Sequence, residues 1–241
     1  MNRITYVGHA TVVIDLDGQR LLTDPVLRRR VAHLRRQEPI TAEATRAIDA
    51  VLISHAHWDH LDLPSLERLG PDIRIVCPRG VGRLLRRRRF AHVTELEAGG
   101  HLRLGSVTVT ATFADHEGGR YPFGAKAPSL GYAAAGSRRI YFAGDTALFP
   151  SMAELAPLDV ALLPVAGWGA KLGPGHLDAR AAAEALLLLR PRLAIPIHWG
   201  TLAPLWRRSP SGPAQDFARH AAELAPDVQV RVLQQGESLA L

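Results

Sequence analysis

Apolar and polar residues alternate with a period of two from the first residues of the chain. "ITYVG" (4–8), "TVVIDL" (11–16) and "RLLTD" (20–24) read as strands, with "LDGQ" supplying a turn between the last two. "AVLIS" (50–54) is a continuous apolar run, the pattern of a strand covered on both faces. "DLPSLERLG" then predicts a short helix capped by Asp62 and stopped at Gly70. The scheme recurs with "IRIVC" as a strand, "GVGRLLRRRR" as a helix and "SVTVTATFA" (106–114) as a clear alternation. "SLGYAAA" and "RRIYFAG" read as paired strands, followed by a short helix near "SMAEL" and the buried strand "VALLPV". "DARAAAEALLLL" is apolar on nearly every side and predicts a deeply packed helix. "LAIPIHWG", the helix "AQDFARHAAEL" and the strand "VQVRVLQQ" complete the chain.

Strands interleaved with helices in two successive halves predict an α/β (α+β) fold, with stacked sheets covered outside by helices. No linker rich in Pro, Gly or Ser separates the halves, so residues 1–241 are expected to form one domain. "HEGGRYPFGAKAP" (116–128) stands out as a long loop directly after a strand, where a substrate-covering loop would sit.

Composition narrows the classes. No apolar run approaches the length of a bilayer span, and the N-terminus enters strand alternation at once, so a cytoplasmic location is expected. Cys77 is the sole cysteine, which excludes an intrachain disulfide and a thiolate zinc site; its setting, "IRIVCP", predicts a core residue. The net charge of +6 owes much to two runs, "LRRRVAHLRR" (27–36) and "RLLRRRRF" (83–90). Such runs grip phosphates or form solvated helix faces. Lysine occurs only at Lys126 and Lys171, and no stacking aromatics interrupt the arginines, so nucleic acid is a disfavoured partner.

"ISHAHWDHLD" (53–62) changes the picture, with three histidines and two aspartates in ten positions behind an apolar run. Histidines at i and i+2 in extended backbone point to one side, so His55 and His57 can share an ion. Asp59 and His60, as the chain turns into the next helix, can reach a second one. Imidazole and carboxylate without thiolate suit Zn, Mn or Fe in sites open to water.

Positions 55–60 fit H-x-H-x-D-H in full, and the chain thereby resembles the metallo-β-lactamase superfamily. That resemblance implies a four-layer αβ/βα sandwich of two mixed sheets flanked by helices. It further implies two divalent ions, most simply Zn, with Mn or Fe also suited. His116 in "FADHEGG", Asp145 in "YFAGDTA" and His198 in "IPIHWGT" match the remaining ligands in order. On this basis His55, His57 and His116 hold one ion, Asp59, His60 and His198 the other, and Asp145 lies between them. The implied reaction is hydrolysis by a metal-activated water, with Asp59 among the catalytic groups.

"GHAT" (8–11), "LLTDPVL" (21–27), "GHLD", "IHWGT" (197–201) and the closing "GES" are similar to the branch containing L-ascorbate-6-phosphate lactonase and the N-acyl-phosphatidylethanolamine-hydrolysing phospholipase D. The H-x-x-x-R pattern recurs as His116 and Arg120. Two dications, less the charges of Asp59, Asp145 and a hydroxide, leave a centre of about +1 before Arg120 is counted, which favours a small anionic substrate such as a phosphodiester or phosphorylated lactone. A homo-oligomer is compatible with the sequence. An iron-dependent redox enzyme on the same scaffold and a nucleic-acid processor are the alternatives.

Asp24 in "LLTDP" is expected to orient the metal-binding imidazoles, its alternative being an ordinary Asp-Pro turn. His176 in "PGHLD" is expected to donate to the substrate or to protonate the leaving group. His9 is either part of the site wall or locally hydrogen-bonded. Trp58 and Trp199 are expected to pack beneath the ligands. His33, His92, His101 and His220, without motifs around them, are expected at the surface or satisfied elsewhere.

Overall fold

Two seven-stranded sheets share one apolar interior. The computed structural model describes residues 2–40, 45–119, 127–167, 172–206 and 212–241. β1 (Arg3–Gly8), β2 (Thr11–Leu16) and β3 (Gln19–Thr23) form an antiparallel meander. The short β4 (Arg30–Val31) and β5 (Leu34–Arg36) follow as a hairpin. β6 (Ala50–Leu52) runs parallel to β3; α1 (Leu63–Leu69) then leads to β7 (Arg74–Pro78), and α2 (Gly82–Arg87) to β8 (His92–Leu96).

β9 (His101–Leu104), β10 (Val107–Phe113), β11 (Leu130–Ala135) and β12 (Arg139–Phe142) make an antiparallel ribbon. From β12 the pairing turns parallel through β13 (Leu158–Pro164), α3 (Ala179–Leu189) and β14 (Pro191–Ile197). β15 (Leu202–Pro204) pairs with β5, and α4 (Gly212–Leu224) leads to β16 (Gln229–Val230), parallel to β14. β17 (Ser238–Ala240) crosses back to pair with β1.

The two-residue period explains the layering. Along β2, Val12, Ile14 and Leu16 face the inter-sheet core, whereas Val13 joins Val51, Ile53, Leu66 and Leu85 in a second cluster under α1 and α2. α3 and α4 cover the other sheet with Ala183, Leu186, Phe217 and Ala221, giving the expected four layers. Asp62 and Asp178 cap α1 and α3 through the backbone N–H groups of Ser65 and Ala181.

Some expectations need correction. The arginine run 27–36 is a hairpin rather than a helix face. Arg36 is buried, donating to the carbonyls of Val7 (3.1 Å) and Val26 (2.5 Å). Arg28 grips Asp62, while Arg86 and Arg88 of the second run pair with Glu95 and Glu67. These four arginines are committed within the fold, which removes much of the case for a phosphate-binding patch. The strand expected over 228–235 shrinks to Gln229–Val230. Cys77 is buried as predicted, and burial pushes its thiol up to about 12, far from nucleophilic. Among the described residues, no helix is long and apolar enough to cross a membrane.

Candidate metal centre

Four strand ends converge. β10, β12 and β14 run in one direction within the second sheet, so His116, Asp145 and His198 all leave the same edge. The 53–60 loop that follows β6 meets them from the first sheet. Gly144, at φ 62°, permits this approach: a Cβ there would lie 2.7 Å from the Ser54 Cβ. Gly8 does the same for the "GHAT" turn, where a Cβ would press on Arg36 and Thr201.

Three residues without glycine's freedom hold left-handed backbone at the site: His9 (φ 60°), Asp24 (φ 33°) and His198 (φ 62°). Such conformations persist where the surroundings over-determine them. The His198 N–H donates to the His9 carbonyl at 2.9 Å, and the His9 N–H donates to Thr201 Oγ1 at 2.8 Å. Thr11 Oγ1 donates to the Asp24 carbonyl at 2.8 Å, locking the third bend. The motifs "GHAT", "LLTDP" and "IHWGT" are therefore mutual clasps.

Four of the candidate metal-binding imidazoles have Nδ1 engaged by the protein. His198 Nδ1 donates to the Ala166 carbonyl (2.7 Å) and His116 Nδ1 to the Gly175 carbonyl (2.9 Å). His60 Nδ1 donates to Asp24 Oδ2 at 2.7 Å. Ser54 Oγ also donates to Asp24 Oδ2, at 2.5 Å, so His55 Nδ1 is the donor in its 2.9 Å bond to Ser54 Oγ. These partners hold the Nδ1 protons and aim four Nε2 atoms inward.

The inward atoms crowd together. His60 Nε2 lies 3.2 Å from His198 Nε2, and His116 Nε2 lies 3.2 Å from His57 Nδ1. Asp145 Oδ2 is 3.1 Å from His60 Nε2 and 3.9 Å from His55 Nε2, while its Oδ1 is 3.4 Å from His198 Nε2. Potential ligand atoms form compact, overlapping sets among the described residues: His55, His57 and His116; His9, Asp59, His60 and His198; Asp24, His55 and His60; and His116, Asp145 and His176. His55 Nε2 and Asp145 Oδ1 are buried without a hydrogen-bond partner among the described residues. Buried polar atoms are normally paired. Imidazole nitrogens and carboxylate oxygens converging in this way fit divalent cations.

Electrostatics point the same way. Burial, reinforced by His60, drives His55 well below the ordinary imidazole range. Burial also takes His116 down to about 4 and His9 to about 3. Burial pushes Asp145 and Asp59 upward, but it is outweighed, by His198 and His60 at Asp145 and by His60, His198 and His9 at Asp59. Both carboxyls therefore sit well below the usual range. His60 is the exception among the histidines, because Asp145 and Asp59 outweigh burial and lift it well above its ordinary value. Neutral imidazoles beside ionised carboxylates are the protonation states that bind cations.

The remaining expected residues separate. Asp24 is fully buried and serves His60 directly and His55 through Ser54, far more than a turn. His9 Nε2 lies 3.0 Å from Asp59 Oδ2. His176 Nδ1 donates to the carbonyls of Gly173 and Pro174, and its Nε2 is 3.4 Å from Asp145 Oδ2. Burial opposes the imidazolium of His176, yet Asp145 outweighs it and raises the ring above its ordinary value. Arg120, and most of the loop expected to cover the substrate, lie outside the described residues. Trp199 is buried and stacks on Tyr6. Trp58 is a correction: it is 48% exposed and lines a cleft of about 560 Å³ that opens onto Asp59, Asp145, His176 and His198. His33 also lines this cleft and had no sequence signal, lying inside an arginine run.

The sequence profile of the beta-lactamase superfamily domain matches residues 19–199, a span that includes all four convergent segments. The chain belongs to the metallo-β-lactamase superfamily. Within this superfamily, a metal-dependent hydrolase from Rubrobacter xylanophilus is 31% identical over 249 aligned positions, covering 98% of this chain and 96% of that protein. A metallo hydrolase from the archaeon Ignicoccus hospitalis superposes with a TM-score of 0.76 at 25% identity, covering 99% and 97% of the two chains. A diiron β-hydroxylase from Streptomyces venezuelae shares the fold at TM-score 0.78 and 22% identity, covering 100% of this chain and 54% of its own. The chain thus falls among metal-dependent hydrolases of the metallo-β-lactamase fold.

Proposed function

We propose that the chain is a dinuclear metal-dependent hydrolase acting on a phosphodiester, a lactone or a related ester. His55, His57 and His116 would hold one ion, Asp59, His60 and His198 the second, with Asp145 shared between them. The observation that carries this reading is the gathering of potential ligand atoms from His55, His57 and His116 in one compact set and from His9, Asp59, His60 and His198 in another. Two divalent ions supply Lewis acidity toward a carbonyl or phosphoryl oxygen and bring the pKa of water near neutrality.

The chain's own groups do the rest. Asp24 fixes the rings of His60 and His55, the kind of support that sets ligand orientation and basicity. His9 donates from Nε2 to Asp59 Oδ2 and holds that carboxylate in place. Asp59, kept anionic at the cleft wall, orients the attacking water. His176, with Nδ1 anchored on carbonyls, presents Nε2 to the cleft and protonates the leaving oxygen from there.

A panel of bis(p-nitrophenyl) phosphate, lactones, thioesters and β-lactams, run separately with Zn and Mn, tests the reading. Hydrolysis of at least one class, abolished by chelation and restored by metal, supports it; inertness toward all classes with either metal contradicts it. Iron-dependent oxidation is the second reading, favoured by the diiron hydroxylase with the same fold. Turnover that requires iron and consumes dioxygen would select it.

A further inference from the structure

Two chemically different sets of residues line the cleft. One is the aspartates and histidines of the candidate centre. The other is the β4–β5 hairpin, through Val31, Ala32, His33 and Leu34, together with Trp58 and Leu172. Among the described residues, no arginine or lysine lines any part of the cleft. The cleft wall beside the hairpin offers apolar surface through Trp58 and Leu172.

The hairpin tip is held in place rather than left to solvent. Val31 pairs with Leu34 across a two-residue turn, and Ala32 in that turn has φ 49°, a conformation that costs an L residue energy. Leu205 N–H donates to the His33 carbonyl at 3.2 Å, and the Trp206 ring stacks on the His33 ring at 6.4 Å between centroids. Val31 and Leu34 pack with Val26 and Leu202 into a small core of their own beneath the tip. Of six large apolar side chains exposed among the described residues, Trp58 lines the cleft, and Leu205 and Trp206 belong to residues that contact His33 of its lining. Clustered exposure of that kind marks a binding surface more than scattered exposure does. The volume, about 560 Å³, suits a ligand larger than the group that reacts.

We propose that the substrate is amphiphilic, a hydrolysable ester-type head at the metal centre bearing an uncharged aliphatic or aromatic group, and that Trp58, Leu172 and the hairpin tip bind this group. The proposal rests on the hydrolase reading for the head and on the cleft wall for the tail. Binding energy from the tail, remote from the reacting atoms, would order the head and raise kcat/KM.

The test is a chain-length series of p-nitrophenyl esters from acetate to octanoate on the Zn- or Mn-loaded protein. The expected result is a kcat/KM rising about two- to fourfold per methylene, the range set by burying each CH2, before it levels off. Trp58→Ala and Leu172→Asp should each flatten that slope while retaining wild-type Tm. A second arm needs no turnover: the uncharged fluorophore phenylnaphthylamine should bind the wild-type protein and bind at least about fivefold more weakly to both variants, the loss expected for about one desolvated contact. Where esters turn over, the slope decides, and a flat wild-type series overturns the apolar wall while leaving the hydrolase reading intact. Where no ester turns over, the hydrolase reading fails for esters and the dye decides; dye binding unaffected by either substitution overturns the proposal.

Discussion

Asp24 Oδ2 lies 2.7 Å from His60 Nδ1, and the same carboxylate reaches His55 through Ser54 Oγ. One buried side chain from the end of β3 thus orients two of the candidate metal-binding rings. Its backbone is itself bent to φ 33° to do so.

Asp24→Ala should weaken metal binding by about 10- to 100-fold, the usual cost of losing such a support. It also strands the buried His60 Nδ1–H without an acceptor. Asp24→Asn keeps an acceptor oxygen and should lose less. Chelator competition measures both, and equal affinity for Asp24→Ala and wild type would contradict the orienting role.

Metal binding should release protons. His60 is lifted well above 6.5 by Asp145 and Asp59, so at neutral pH the metal-free ring carries a proton on Nε2 as well as Nδ1. A cation displaces the Nε2 proton, because Nδ1 stays with Asp24. With a group that must lose a proton to bind, affinity falls as pH falls and rises as pH climbs toward the raised value. Titration calorimetry in buffers of different ionisation enthalpy reads this directly; heats independent of buffer would contradict it.

His9→Ala should act unevenly. His9 contacts Asp59 and lies tilted against His198, at 3.8 Å between ring centroids, so its loss disturbs the Asp59, His60 and His198 group and spares His55, His57 and His116. The expected outcome is one ion retained tightly and the other bound about tenfold more weakly, in keeping with losing a supporting hydrogen bond. Equal weakening of both binding steps would count against this assignment.

Asp62 ties the hairpin segment to α1. Its carboxylate caps the helix at Ser65 and accepts Arg28 Nε at 2.8 Å and Nη2 at 2.6 Å. Asp62→Ala should cost about 1–3 kcal/mol in urea unfolding, combining a lost cap with a lost charge-assisted pair. A cost below about 0.5 kcal/mol, the smallest cap effect, would show that neither bond contributes to stability.

Legibility of the sequence followed local signal strength. The ligand cluster at 53–62 was readable because chemistry-bearing residues sit at fixed spacing behind an apolar strand, and β2 and β10 because both their faces obey a period of two. The hairpin at 30–36 was not, since its arginines mask the pairing of Val31 with Leu34, and only the tertiary fold reveals that Arg36 spans the carbonyls of Val7 and Val26. β8 and β9 are edge-side strands with half-exposed residues, which dilutes alternation, and β17 is three residues long. Trp58 is a related case: motif position says that a residue is near the ligands, not which side of them it faces.

Paired cations are tested most directly by an anomalous difference map from crystals grown with Zn, collected at the zinc absorption edge. Two peaks roughly 3.5–4 Å apart, one beside His55, His57 and His116 and one beside Asp59, His60 and His198, with Asp145 touching both, are predicted. One peak alone, or none in a protein whose fold is intact, would contradict the two-ion centre.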